Sequence, residues 1–247
     1  MLGRDVDRMA ERLGALERAR SEFVAKVSHD LRTPLTVIKG YAFTLHRGAT
    51  DDAERRRLAA IGRETDRLTA LVDDLLTLSQ AGAGALRVTI ARVGVGDLLD
   101  EVAERIAPLA SERDVALVVE CPLELELDGD RRRLGQVLTN LATNAVRHTP
   151  ARGSVRLSAF PRGSSAVLRV EDTGSGIDPA LVERLLRPFE RGDGPASGTG
   201  LGLAIASELV AAHDGRLQLE PRTGGGTVAT VELPRRATRA RALAGVR

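Results

Sequence analysis

Over the first eighty positions, apolar residues recur on alternating three- and four-residue steps. Met9, Leu16 and Phe23 with Leu13, Val27 and Tyr41 make one series; Leu58, Ile61, Leu68, Val72 and Leu75 make a second. Such spacing keeps side chains on one stripe of a helix, as in the heptad seam of packed helices. It predicts two amphipathic helices between Asp5 and about Gln80, broken only at Gly48-Ala49-Thr50. A two-helix hairpin buries too little apolar surface alone, so the expected solution is a dimeric four-helix bundle. Pro34 falls inside the first helix, where it removes a backbone hydrogen bond and should bend the axis.

After Ala81-Gly82-Ala83-Gly84, a linker by composition, the period changes. Strands are expected at Leu86–Ile90, Val115–Glu120, Glu124–Leu127, Ser154–Phe160, Ala166–Glu171, Arg216–Glu220 and Thr227–Leu233. Helices are expected at Asp97–Glu112, Asp130–His148, just after Pro179, and from Thr199 to His213. Turns fall at Gly163-Ser164-Ser165 and Gly224-Gly225-Gly226. Runs of helix and hairpin, without regular strand–helix alternation, predict an α+β chain: the helical hairpin, then an α/β sandwich with a mixed, largely antiparallel sheet.

Composition narrows the function classes. The five aromatic residues, Phe23, Tyr41, Phe43, Phe160 and Phe189, with no Trp, are too few for a base-stacking surface, so no nucleic-acid partner is expected. No apolar run is long enough to span a bilayer, and the charged first twenty residues do not read as a signal peptide. The single cysteine, Cys121, excludes an internal disulfide and points to a reducing, cytoplasmic setting. The tail Arg235–Arg247 has five arginines and no acid; the formal charge of the whole is +2, so the rest is net −3 and the basicity belongs to the tail.

Four clusters carry chemistry. In Ser28-His29-Asp30-Leu31-Arg32-Thr33-Pro34, His29 lies two residues past the seam position Val27 and should face outward. A lone exposed histidine is more often ordinary surface. With Asp30 beside it and Thr33 a turn on, the imidazole becomes a candidate nucleophile whose proton a carboxylate can take. Asn140 and Asn144 are four apart, on one helix face, where amide oxygens suit Mg²⁺; Arg147 follows closely enough to meet a phosphate. Asp172-Thr-Gly174-Ser-Gly176-Ile177 ends a strand: the carboxylate accepts hydrogen bonds, and the glycines permit close backbone approach. Gly198-Thr199-Gly200-Leu201-Gly202-Leu203 opens a helix whose amides favour phosphate. Each of the last three has a bland reading as solvated face, turn or cap. His46 and His213, each shortly before a glycine, read as helix C-terminal residues favoured by the dipole, and Cys121 as packing.

In this order the clusters resemble the sensor histidine kinases of two-component systems. Ser28 to Leu35 is similar to their phospho-acceptor box, Asn140 to Thr149 to the asparagine box, and Asp172 to Ile177 to the first glycine box. Arg187-Pro-Phe189-Glu-Arg191 is similar to the phenylalanine box, and Gly198 to Ala204 to the second glycine box. The resemblance covers residues 20–234. It implies a coiled-coil or HAMP-like tail (1–20), a dimerisation and histidine phosphotransfer domain (21–80), a linker (81–85), an ATP-binding domain (86–234) and a basic tail (235–247).

The resemblance further implies ATP and Mg²⁺ as cofactors, with a lid between Phe189 and Thr199. Asp172, Gly174, Gly176 and Ile177 would meet adenine. Asn144, with Asn140, would hold the metal, while Arg147 and the amides around Gly200 and Gly202 would meet phosphate. His148, Phe189, Thr199, Leu201 and Leu203 would complete the nucleotide site. His29 would take the γ-phosphoryl group with Asp30 as base, and Thr33 would position water if the chain also dephosphorylates its partner, a response regulator receiver domain. The implied assembly is a homodimer, tethered to a membrane only through a sensor part preceding this chain. Three positions depart from the family pattern: Arg147 where Lys is usual, His148 where Tyr or Phe is usual, and Lys26 in place of a frequent Asn. Two other readings fit fewer residues. A hydrolytic ATPase of the gyrase and chaperone type would need a general base, often Glu, where Asn140 stands. A non-catalytic interaction module would leave Asp172 and Asn144 without purpose.

Overall fold

The computed structural model describes residues 24, 26–28, 30–49, 51–122, 124–191 and 199–235. The expected tail segments 1–20 and 236–247, and His29, lie outside them. The chain divides into two compact units, Met1–Leu86 and Arg87–Arg247.

In the first unit, helix α1 (30–48) is followed by α2 (Asp52–Gly82). Asp51 starts α2 as its N-cap, its carboxylate accepting the Ala53 amide at 3.1 Å. Two ion pairs link the helices, Arg32 with Asp73 and Lys39 with Asp66 at 2.6 Å. The partners step seven residues up one helix and seven down the other, which fixes an antiparallel register. Being half exposed, these pairs add little stability; they select the alignment.

The apolar series of α2 resolves into two stripes. Leu58, Thr65 and Val72 turn inward, with Thr65 and Val72 buried. The Thr65 and Thr77 hydroxyls donate to the carbonyls four residues back, so their burial leaves no donor unsatisfied. Ile61, Leu68 and Leu75, one heptad apart, are 40–46% exposed, and Val27, in the helical stretch before α1, and Leu31, Ile38, Tyr41 and Leu45 on α1 are exposed to similar or greater extent. Helical backbone runs through Pro34. Ala81 and Gly82, read from composition as linker, form the last turn of α2; the chain leaves it through Gly84, whose φ of +63° suits glycine.

The second unit begins with β1 (Ala91–Gly94), α3 (Val95–Glu112), β2 (Ala116–Glu120), β3 (Glu126–Gly129) and α4 (Arg131–His148). Hairpin β4 (Ser154–Arg162) and β5 (Ser165–Asp172) follows, then a 3₁₀ turn at Pro179–Leu181 and the one-turn α5 (Val182–Leu185). Helix α6 (Gly202–Ala212) precedes the hairpin of β6 (Arg216–Pro221) and β7 (Thr227–Pro234). The main sheet runs β2-β4-β5-β7-β6, with β2 and β4 parallel and every other neighbour antiparallel. A separate antiparallel pair joins β1 to β3.

The strand registers explain the layering. Val155 and Leu157 of β4, Leu168 and Val170 of β5, and Val231 and Leu233 of β7 are buried on one face of the sheet, where α3 and α4 pack on β4, α4 on β5 and α6 on β6. The helices contribute Leu98, Leu99, Leu134, Leu138, Ile205 and Leu209 to the same core. Burial of each such side chain is worth about 1.5–3 kcal/mol. On the opposite face the register sets Arg156 beside Glu171 and Ser158 beside Arg169, and at one end Phe160 beside the buried Val167, with Arg162 and Arg169 over the Phe160 ring.

Three local expectations are corrected. The strand expected at Leu86–Ile90 lies at Ala91–Gly94, and the Thr89 amide is taken by the Asp130 carboxylate (3.0 Å) instead of a neighbouring strand. Helix α6 starts at Gly202 and not Thr199, because Gly200 at φ +72° cannot continue a helix. His213 does follow α6 as its C-cap, but not as a dipole-favoured cation: it is 6% exposed, and burial pushes its pKa down. Among the described residues no helix is long and apolar enough to cross a membrane.

Candidate nucleotide site

The end of β5 holds a tightly constrained carboxylate. Asp172 is 6% exposed, and its Oδ1 accepts the Gly174 amide at 2.8 Å and the Thr227 amide at 3.1 Å. Burial pushes its pKa above the ordinary carboxylate value; the two amides, with His148 and Arg222 nearby, pull the other way. A buried carboxylate with remaining acceptor capacity suits recognition of an N–H donor on a ligand.

Two glycines let backbone close around it. A Cβ at Gly174 would overlap the His148 carbonyl, and one at Gly226 would overlap the Asp172 carbonyl. Gly226 also sits at φ +100°, so glycine is needed there for conformation as well as space. Gly176, at φ +81°, faces the Gly226 backbone. Ile177 is half-buried beside this turn.

Helices α4 and α6 supply a second wall. The Asn140 side-chain amide donates to the Gly202 carbonyl at 3.1 Å, tying mid-α4 to the first turn of α6. That contact uses the nitrogen, so Oδ1 is the atom with capacity for a cation. Asn144, one turn on, is exposed, as are Arg147 and His148. The Arg147 carbonyl accepts from Arg113, anchoring the end of α4 to that of α3.

The chain entering α6 is shaped by a reciprocal contact. The Phe189 amide donates to the Gly200 carbonyl at 2.9 Å, and a Cβ on Gly200 would collide with the Phe189–Glu190 backbone. Phe189 itself has φ +66° and a 64% exposed ring. The Thr199 hydroxyl accepts the Leu201 amide (3.3 Å), Leu201 is buried as the α6 N-cap, and Leu203 is half-buried. Residues 192–198 of the expected lid lie outside the described residues.

Thus Asp172, Gly174, Gly176 and Ile177 gather at the β5 end, and Asn140, Thr199 to Leu203 and Phe189 around the start of α6. In the first unit, Asp30 and Thr33 are exposed on α1. Sequence reasoning missed Thr227 and Gly226. Their place follows from the fold: the β5–β7 register pairs Glu171 with Val228, one step further brings Thr227 opposite Asp172, and no local sequence signal marks a partner fifty-five residues away.

Two family models match the chain, the His Kinase A (phospho-acceptor) domain over residues 19–84 and the histidine kinase-, DNA gyrase B- and HSP90-like ATPase over residues 129–237. The chain is 34% identical over 237 residues to the signal transduction histidine-protein kinase BaeS of Escherichia coli, covering 94% of this chain and 50% of that protein. It is 36% identical over 236 residues to the phosphate regulon sensor protein PhoR of Pseudomonas aeruginosa, covering 93% and 52%. It therefore spans about half the length of these curated relatives. Full-length ShkA in complex with AMPPNP superposes with a TM-score of 0.75 at 33% identity, over 90% of this chain and 47% of that one. The histidine kinase AdeS of Acinetobacter baumannii gives 0.61 at 26% identity, over 84% and 98%.

Proposed function

Because this chain belongs to the sensor histidine kinases of two-component systems, we propose that it transfers the γ-phosphoryl group of ATP to His29 and then to an aspartate of a response regulator. The observation that carries this reading is the Asp172 carboxylate, buried and fixed by amides of two different elements. Beside it runs a helix bearing Asn140 and Asn144, and the acceptor box occurs in the same chain.

Each group has a role consistent with its surroundings. Asp172 accepts the exocyclic amino hydrogen of adenine, while the backbone at Gly174 and Gly176 leaves room for the base. Arg147 and the amides from Gly200 to Leu203 offset phosphate charge at the start of α6. Arg in place of Lys keeps the charge with a wider fork, and the His148 ring offers an aromatic face in place of Tyr or Phe. Ile177, Phe189, Thr199 and Leu201 border the nucleotide.

The donor set fits Mg²⁺: amide oxygens of Asn144 and Asn140 are hard ligands, and the Asn140 nitrogen is already committed to Gly202. Among the described residues there is no cluster of three His, Cys, Asp or Glu to cage a metal, which suits an ion held partly by phosphate and water. When bound, the ion neutralises charge on the phosphate oxygens.

At the acceptor, an imidazole nitrogen of His29 attacks phosphorus as the bond to the ADP oxygen breaks, and Asp30 takes the ring proton. The resulting phosphoramidate passes its phosphoryl group to the regulator carboxylate. We place dimerisation on the exposed stripe Ile61, Leu68 and Leu75 with Val27, Leu31, Ile38 and Tyr41, and divide the chain as a phosphotransfer domain (21–80) and a nucleotide domain (86–234).

Incubation with γ-³²P-ATP and Mg²⁺ tests the reading. Wild type should acquire an acid-labile, alkali-stable label that His29→Ala lacks. Label retained in His29→Ala would refute the acceptor; nucleotide binding without label in wild type would favour the non-catalytic module.

A further inference from the structure

Helices α4 and α6 are joined at two points. One is the Asn140 to Gly202 hydrogen bond. The other lies at their far ends, where the Asp130 amide donates to His213 Nε2 at 3.0 Å, and His213 Nδ1 lies 2.7 Å from the Leu209 carbonyl. Chemistry fixes the protons. A carbonyl only accepts, so Nδ1 carries the hydrogen; a backbone amide only donates, so Nε2 offers its lone pair. The imidazole is neutral, and both nitrogens are used.

The spacing of the two contacts is informative. Asp130 to Asn140 is ten residues along α4, and Gly202 to His213 is eleven along α6, so at 1.5 Å per residue the rungs stand about 15 and 16.5 Å apart on the two helices. Two rungs at matched separation block axial sliding, which apolar packing alone resists weakly. Asp130 is also the N-cap of α4 through the Arg133 amide (3.1 Å) and holds the Thr89 amide (3.0 Å). His213 therefore grips a residue whose carboxylate is itself held by two amides.

We propose that His213 is a positioning residue for the nucleotide site: its neutral imidazole sets the register of α6 against α4, and so the height of the Gly200–Leu203 amides relative to Asn140 and Asn144. This rests on the nucleotide reading above. The groups facing the ring are the Asp130 and Asp214 carboxylates, which favour protonation, and Arg133, which opposes it; burial outweighs them and keeps the ring neutral. With the folded-state pKa below the unfolded one, the rung is fully present above about pH 6.5 and is lost as pH falls through the folded value.

Three measurements on the full chain test this. Long-range ¹H–¹⁵N correlation spectra should show His213 as the neutral Nδ1–H tautomer at pH 6.5; the Nε2–H tautomer or a half-protonated ring would overturn the assignment. By calorimetry at pH 7.5, His213→Leu should weaken binding of a non-hydrolysable ATP analogue by about tenfold, whereas His213→Gln, which keeps a donor and an acceptor, should stay within about threefold of wild type. Equal affinity of the Leu variant and wild type would refute the role.

Should the Leu variant not fold, the Gln variant decides. As pH is lowered until the imidazole spectrum shows His213 gaining its second proton, wild-type affinity should fall several-fold more than that of His213→Gln, and profiles that coincide across that protonation would refute the proposal. A wild type that binds no nucleotide would end the nucleotide reading and this role with it. The imidazole spectrum still reports whether the rung forms, so the two failures are separable.

Discussion

Asp172 Oδ1 takes the amides of both Gly174 and Thr227 (2.8 and 3.1 Å), so one carboxylate oxygen is held between the glycine turn and the start of β7. Among the described residues no donor is assigned to Oδ2, which leaves that oxygen to a ligand. The arrangement resists rotation of the carboxyl group: turning it to satisfy another partner would abandon two amides whose loss costs about 1–3 kcal/mol each when buried. In the proposed reading, recognition and fold share a single side chain without competing for the same atom.

Substitution Asp172→Asn separates those two roles. The Asn oxygen still accepts both amides, but its nitrogen meets the adenine amino group donor to donor. Burial raises the Asp172 pKa, so above that value the ionised form is a cost to the folded state, lost on substitution. Nucleotide affinity should fall about 10- to 100-fold, as expected for a charge-assisted hydrogen bond of roughly 1.5–3 kcal/mol. The melting temperature at pH 7 should hold or rise. Unchanged calorimetric affinity would exclude the adenine role.

Gly226→Ala should damage the site from behind. The new methyl group would overlap the Asp172 carbonyl, and φ of +100° is foreign to alanine. Relief requires the β6–β7 turn to lift, taking the Thr227 amide with it. We expect a loss of at least about 2 kcal/mol in denaturant titration, in the range of strained backbone positions. Gly224→Ala, with open space around it though φ is +90°, should cost less and spare binding.

Leu68→Glu tests the assembly. Leu68 is 41% exposed in one chain and lies in the stripe with Ile61 and Leu75. Exposed apolar residues one heptad apart are a seam awaiting a partner helix. A charge there should leave the helical circular dichroism of the chain largely intact while light scattering shows the mass of a monomer. An unchanged dimer would move the interface elsewhere.

How far the sequence could be read depended on the range of the interaction. Periodicity located α3, α4 and the hairpins β4–β5 and β6–β7 within a few residues, because burial on one face writes itself into local spacing. The residues proposed to meet the nucleotide stood out as boxes because glycine and amide chemistry is local to each, and their order along the chain carried the resemblance. What escaped was set by partners distant in the chain. Thr89 leaves the strand pattern because Asp130, forty-one residues on, takes its amide. His213 is no C-terminal cation because the fold buries it and sets its Nε2 against the Asp130 amide, eighty-three residues away. The Arg32–Asp73 and Lys39–Asp66 rungs carry no local signature, since charged residues crowd both helices. Within α2, one apolar periodicity encoded two stripes, and only the fold separates the inner Val72 from the outer Leu68.

Thr33→Ala addresses the second half of the proposed chemistry. Thr33 is exposed on α1, one turn beyond the position of His29, and Pro34 offers no amide to the Asp30 carbonyl. Phosphoryl transfer to His29 needs a nucleophile and a base but no hydroxyl at Thr33, so autophosphorylation should stay within about twofold of wild type. Dephosphorylation of a regulator needs a water held in line with the acyl phosphate, and positioning of that kind supports large rate effects. With purified phosphorylated regulator, the variant should lose at least about tenfold in phosphatase rate while its nucleotide affinity is unchanged. Equal loss of both activities would mean that Thr33 supports the helix and not the water.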